Sequence, residues 1–302
     1  MRISTSWAQQ TSVNSMLDQQ SRLNQTQLQM NAQKKILTPS DDPAAASRII
    51  DLNQSIKQTE QYQSNNDTAR QRLTLEDTVL QSATDILQQI NELSIQGLSD
   101  TNSAARPTIA AEMTGLNQQL LGLANTKNAN GEYLFSGFKS TTQPFTQNAG
   151  AYSYVGDTNQ RSIQIGETWQ IADGDYGSNV FGMPTSGALP APGSIPNIFE
   201  VIDKFVTDLR ANTPNSASLA DISSVLNNIV TVRSSVGTRL NTLDNQQAFN
   251  TDHVLNTKTA LSATEDLDYV EAISRFNQQT LALQASQQAF AQVKKLSLFN
   301  YL

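Results

Sequence analysis

The stretch YVEAISRFNQQTLALQASQQAF (Tyr269–Phe290) sets Tyr269, Phe276, Leu283 and Phe290 seven residues apart, with Ile273 read on the same side. A strict seven-residue period describes a helix that packs along another helix and supercoils with it. The seam is only one side chain wide. Such a helix buries too little apolar area to offset its own chain entropy and needs a partner. The other end of the chain offers one. Met16, Leu23, Met30 and Leu37 repeat the spacing, and their companions Val13, Gln20, Gln27 and Lys34 are mostly polar. Two thin seams at opposite ends of one chain point to helices whose termini lie side by side.

Inward from these ends the helices carry wider apolar faces. Leu73, Leu80 and Leu87 recur by seven, with Val79, Ala83, Ile86, Ile90 and Leu93 beside them. A polar turn, SDTNSAARP, separates them from Ile109, Met113, Leu116, Leu120 and Leu123. Between Pro196 and about Leu261 the pattern returns in Ile222, Ile229, Val236 and Leu243. The middle differs in kind. Asn130-Gly131 is a turn signal, followed by the strand-like EYLFSGF, then alternation in SIQI and TWQIA. GMPTSGALPAPGSIP reads as a loop. The expected fold is mainly α with a small β-rich insert: an elongated rod of long, coiled-coil-like helices built by both chain ends. Residues 1–38 with 262–302 form a terminal coiled-coil domain in this reading. Residues 39–140 with 195–261 form a helical rod domain with a β-hairpin, and 141–194 form an exposed insert.

Composition removes several classes of function. A net charge of -7 argues against nucleic acid, whose binding rests on Lys and Arg neutralising phosphates. The absence of cysteine excludes disulfides, Fe–S clusters and thiol catalysis. His253 is the only histidine, so a histidine triad or histidine metal site has no material. Neither G-x-S-x-G nor a phosphate-binding glycine loop occurs. No apolar run is long enough to insert into a membrane, and MRISTSWAQQTSVNSM has none of signal-peptide length. The adjacent carboxylates Asp41 and Asp42 invite a metal or catalytic reading, but no third acidic ligand lies near in sequence. Their bland reading is specific. Pro39 stops the first helix at or before Thr38, because the residue before proline avoids helical geometry. Asp42 then caps the next helix and Pro43 occupies its first turn.

Four segments, in order, carry a family likeness. TPSDDPAAASRI (Thr38–Ile49), NANGEYLFSGFK (Asn128–Lys139), VRSSVGTRLNTLDN (Val232–Asn245) and Glu265–Leu302 resemble matching segments of the flagellin family. The likeness covers about the first 140 and last 110 residues. Within the family, the opening MRIST, the loop TPSDDP and the closing SLFNYL are similar to junction members rather than filament subunits; a short flagellin is the alternative. The resemblance implies a non-enzymatic structural protein, without cofactor or metal, located outside the cell on the flagellum. It would form a ring of its own copies between the first hook-associated protein and flagellin. It would travel through the type III export apparatus with an export chaperone. The implied assembly seam is Met16, Leu23, Met30, Leu37, Tyr269, Ile273, Phe276, Leu283 and Phe290. Pro39, Asp41, Asp42 and Pro43 are the expected domain border. Asn130, Gly131, Tyr133 and Phe135 are the expected hairpin, with Tyr133 and Phe135 fixing it where axial neighbours touch.

Overall fold

The structure is a computed structural model, and it describes residues 2–148, 151–182 and 197–295. It is mainly α, with long helices from both ends of the chain and two small β-hairpins. The helices are α1 (Arg2–Ala32), α2 (Pro43–Leu98), α3 (Arg106–Ala124), α4 (Gly177–Val180), α5 (Ile198–Arg210), α6 (Ser216–Glu265) and α7 (Tyr269–Lys295). The strands are β1 (Phe145–Asn148), β2 (Ala151–Tyr154), β3 (Ser162–Gln164) and β4 (Gln170–Ala172). The chain sorts into two compact units. Unit 1 takes the residues up to Gln58 and from Asp252 onward, and unit 2 is Thr59–Thr251. Both borders fall inside helices, α2 and α6, rather than at Pro39 and Leu261.

Unit 1 is built on the pairing of α1 with α7. Val13, Met16, Leu23 and Met30 are half-buried along α1, and Thr26 is its one buried side chain among those described. Phe276, Leu283 and Phe290 are half-buried along α7, above a buried Ala272. Ser286 Oγ donates to Gln19 Oε1 at 3.0 Å, and the Tyr269 hydroxyl donates to the Met30 carbonyl at 2.9 Å. At the corner, Lys35 N donates to Glu265 O at 2.7 Å and Leu267 N to Gln33 O at 3.2 Å.

Pro39 does not end α1. The helix stops at Ala32, because Gln33 turns to the left-handed region at φ 61° and Lys34 N reaches back to Gln29 O at 3.2 Å. That is a six-to-one closure of the last turn, a geometry glycine usually supplies. With glutamine there instead, the sequence carries no stop signal. A second difference lies at the other terminus. The family-like segment from Glu265 is not one helix from its start: α6 runs on to Glu265, and α7 starts at Tyr269 after a corner in which Asp268 Oδ1 accepts from Val270 N at 2.9 Å and Glu271 N at 3.2 Å.

Unit 2 holds the thick core. Leu73, Val79, Leu80, Ala83, Leu87, Ile90 and Leu93 are buried on α2 as the period implies, while Ile86 is half-buried. α3 packs on α5, a helix the sequence reading merged into α6. α5 begins where Asn197 Oδ1 accepts from Glu200 N at 3.1 Å, and it buries Ile198, Phe199, Val201, Ile202, Phe205, Val206 and Leu209. It ends at Asn212, φ 58°, with Thr213 N bonded to Asp208 O at 2.9 Å. The β-rich insert shares this core. Phe145, Tyr152, Ile165, Ile171, Val180 and Phe181 cluster with the buried side chains of α2, α3, α5 and α6.

EYLFSGF is not a strand. It is a run of turns with one isolated bridge, Lys127 to Tyr133; the hairpins lie further on, pairing Phe145 with Tyr154 and Ser162 with Ala172. Its apolar character reflects burial without strand pairing: Leu134, Phe135 and Ser136 are all inside. Gly137 explains the conservation of space here. At φ 63°, a Cβ would lie 2.4 Å from the Asp157 carbonyl oxygen, so only glycine fits.

Candidate functional site

Asp41 and Asp42 sit side by side and do different things. Asp42 Oδ1 accepts from Ala44 N at 3.1 Å and Ala45 N at 3.0 Å, and α2 begins at Pro43. Asp41 faces backward. Its Oδ2 accepts from Leu37 N at 3.0 Å and Thr38 N at 2.9 Å, and its Oδ1 from Gln25 Nε2 at 3.3 Å. Both carboxylates are committed to backbone donors, and no cluster of three or more metal-ligating side chains occurs among the described residues. The amides of Thr38 and Leu37 hold the Asp41 carboxyl below the usual carboxylate range. A depressed folded pKa stabilises the loop fully above the ordinary value and loses that stabilisation as pH falls through the folded one. In an NMR titration the Leu37 and Thr38 amides should therefore move together, with a midpoint below about 3.9, the ordinary aspartate value. A midpoint at or above it would contradict this geometry. Asp42→Ala should weaken the start of α2 by about 1 kcal/mol, seen as faster amide exchange at Ala44 and Ala45.

The seam residues divide. Met16, Leu23, Met30, Phe276, Leu283 and Phe290 are half-buried on the facing sides of α1 and α7, and Leu37 is half-buried in the loop after α1. Tyr269 and Ile273 are exposed, at 42% and 47%. Ile273 shares a side with Phe276, three residues on, and lies at the exposed edge of the seam, while Val270 and Leu281, also exposed, lie further round the helix. On α1, Leu17 and Leu28 are likewise exposed. The seam itself carries unmet polar groups: Arg275 Nε and Gln279 Oε1 are buried without a partner. Such atoms cost free energy until something satisfies them.

The hairpin residues also divide. Gly131 turns at φ 81°, its N–H bonded to Asn128 O at 3.0 Å, and Asn128 Oδ1 accepts from Asn130 N and Glu132 N. Tyr133 is half-buried with Lys127 Nζ 4.6 Å from its ring centroid. Phe135 is wholly buried, edge-on to Phe181 at 5.3 Å. It is thus spent inside unit 2, and the exposed aromatic of this segment is Phe138. His253 is exposed on α6.

Long helices from both chain ends, a thin terminal pair and a β-insert mounted on interior helices define a flagellin-type structural subunit. Residues 3–140 match the bacterial flagellin N-terminal helical region, and residues 219–302 match the C-terminal helical region. Flagellar hook-associated protein 3 of Escherichia coli (strain K12) is 33% identical over 318 residues, covering 99% of both chains. The Salmonella typhimurium protein of that name is 31% identical over 316 residues, with the same coverage. The crystal structure of flagellar hook-associated protein 3 from Legionella pneumophila superposes with a TM-score of 0.62 at 25% identity, covering 70% of this chain and 97% of that one. The chain belongs to the flagellin family and, within it, to the hook-associated protein 3 group. It is a structural component of the bacterial flagellum, and its role is one of association with other flagellar components.

Proposed function

We propose that this chain is the adaptor ring of the hook–filament junction. Copies of it sit between the first hook-associated protein and the first layer of flagellin, outside the cell, and convert the end of one tube into a template for the next. The observation that carries this reading is the end-to-end match to two hook-associated proteins 3, over 99% of each chain. Subunits travel unfolded through the type III export apparatus, held beforehand by an export chaperone. The protein performs no catalysis; its work is contact.

The contacts lie on unit 1. The α1–α7 pair has a thin seam with two unmet buried polar atoms and leaves Leu17, Leu28, Val270, Ile273 and Leu281 in solvent. A helix pair with these properties is marginal alone and gains from neighbours on its outer faces. Ordering of the terminal helices is accordingly completed by assembly, with Phe276, Leu283 and Phe290 inside each subunit and Ile273 facing the next.

Deletion of the gene tests the reading. Electron microscopy should show hooks without filaments, and flagellin should accumulate in the medium. Hooks that still carry a junction ring and lack only filament would identify the chain as a filament subunit instead. Seeded polymerisation separates the same two roles, since only a filament subunit grows long filaments.

A further inference from the structure

Unit 2 contains a charged cluster for which assembly provides no use. Four carboxyl groups and three guanidinium groups meet where the segment after β4 crosses α2 and α6. From α2 come Arg72 and Glu76, from the turn after α3 Glu132, from the start of the second hairpin Arg161, from its end Asp173 and Asp175, and from α6 Arg239. Five cation–anion pairs join them, the two longest being Arg72 Nε to Asp173 Oδ2 at 3.5 Å and Arg161 Nη1 to Glu132 Oε1 at 4.0 Å. Arg72 Nη1 donates to Glu132 Oε2 at 2.8 Å, Arg161 Nε to Asp173 Oδ2 at 2.8 Å, and Arg239 Nη2 to Asp175 Oδ2. Gln160 Nε2 adds a bond to Asp175 Oδ1 at 2.8 Å.

The fourth carboxyl group, Glu76, has no guanidinium of its own among the described residues. It is 2% exposed. Its Oε1 accepts from Asp175 N at 3.1 Å, so the two residues are direct neighbours. Arg72, one turn away, is already engaged by Glu132 and by the Asp173 carbonyl at 3.4 Å. Gly174 lies beside them: a Cβ there would be in ordinary contact, 3.7 Å from both Glu76 Oε2 and Arg72 Nη2. Glu132 and Arg161 reach solvent, but Glu76, Asp173 and Asp175 are buried, and four negative charges against three positive ones leave Glu76 as the uncompensated carboxylate. Nature's usual solution is neutralisation, because a bare buried charge is more costly than a bound proton. Two neighbouring carboxyl groups can bond to each other only through a proton.

We propose that the Glu76–Asp175 carboxyl pair holds one proton in the folded protein, and that this proton latches the 173–177 segment, and with it the second hairpin, onto α2 and α6. The proton brings the cluster to three negative and three positive charges. It supplies the hydrogen bond between the two carboxyl groups while Asp175 keeps its contact with Arg239. Its loss sets two carboxylates side by side before a single guanidinium. Burial first, and the neighbouring Asp175 second, push the Glu76 carboxyl well above the usual range, against the opposing pull of Arg239. A folded pKa above the unfolded one stabilises fully below the unfolded value, and that stabilisation is lost as pH rises through the folded value. The latch is therefore an alkaline-release device. Tyr154, whose phenol is pushed up to about 12 by burial, titrates too late to mimic it.

Infrared spectroscopy of the full chain at pH about 6, where free carboxylates are ionised, should show a buried carboxylic-acid carbonyl band that Glu76→Gln removes. In a Trp7→Phe background Trp169 is the sole tryptophan and reports unit 2. Its denaturation curves should give an unfolding constant that climbs with pH by up to about tenfold per unit above the folded pKa, the limit for one proton. Glu76→Gln, a permanent neutral donor toward Asp175, should flatten that climb, and Asp175→Asn should do likewise. An unchanged pH slope in Glu76→Gln overturns the proposal. If neither variant folds, the wild-type spectrum decides: no acid carbonyl band at that pH means no latch proton.

Discussion

Phe276→Asp should abolish incorporation of the protein into flagella and leave unit 2 folded. Phe276 lies on the α7 side that faces α1, half-buried with Leu283 and Phe290. A carboxylate there is placed in the seam between α1 and α7, and desolvating an unpaired charge costs several kcal/mol or forces the helices apart. The α1–α7 pair has little to spend against that cost, since its seam is one side chain wide and already holds two unmet polar atoms. Complementation of a deletion strain should give no motility and hooks without filaments. Chemical denaturation followed at Trp169 should match the wild type, because Phe276 belongs to unit 1 and Trp169 to unit 2. Normal assembly would remove the seam from the mechanism, and loss of the Trp169 transition would remove the independence of the two units. Ile273→Asp is the informative companion. Ile273 is exposed in the single chain, so the variant should leave the helix content of the subunit unchanged. If it also blocks assembly, the outward face of α7 is a contact between subunits.

Phe145→Ala should destabilise unit 2 by about 3–5 kcal/mol, the range for deleting a buried phenylalanine ring. Phe145 is fully buried at the centre of an aromatic group. Its ring meets Tyr154 at 5.2 Å, Phe181 at 5.8 Å and Phe199 at 5.0 Å between centroids. Neighbours come from β2, the end of α4 and α5, so relaxation to fill the hole requires three elements to move together. The backbone there is also fastened, since Asn125 Oδ1 accepts from Phe145 N and Asn125 Nδ2 donates to Phe145 O, both at 3.0 Å. The Trp169 denaturation midpoint should fall sharply with the steepness of the transition retained. A loss below about 1 kcal/mol, less than the usual cost of one buried methylene plus its cavity, would show that the insert is not part of the helical core.

Much of the architecture was legible because it is written in spacing. Seven-residue recurrences at Tyr269–Phe290, Met16–Met30 and Leu73–Leu87 specify long helices whatever their partners, since side chains three and four apart share a face. Asp42-Pro43 specifies a helix start because a capping carboxylate and a proline lacking an N–H suit the first turn alone. The four flagellin-like segments placed the chain in its family before any contact was known. These features are local, and a short window of sequence contains all the physics that produces them.

The rest was decided by partners distant in sequence. Gln33 ends α1 through a left-handed turn that its residue type does not announce, held by the corner bonds to Glu265 and Leu267. Ile273 shares a side with Phe276, and only the placement of α1 leaves it exposed at the edge of the seam while Phe276 is half-buried. EYLFSGF reads as strand-like and is buried as turns, because Phe135 goes to the aromatic group and the hairpin bonds go elsewhere. Arg72 and Glu76, one turn apart on α2, carry opposite charges at the spacing of a helix ion pair. Tertiary folding instead gives Arg72 to Glu132 and Glu76 to Asp175. Helix period and capping are short-range and survive in a single segment. Charge pairing, burial and the choice of outward face depend on which segments meet, and that is a property of the folded chain alone.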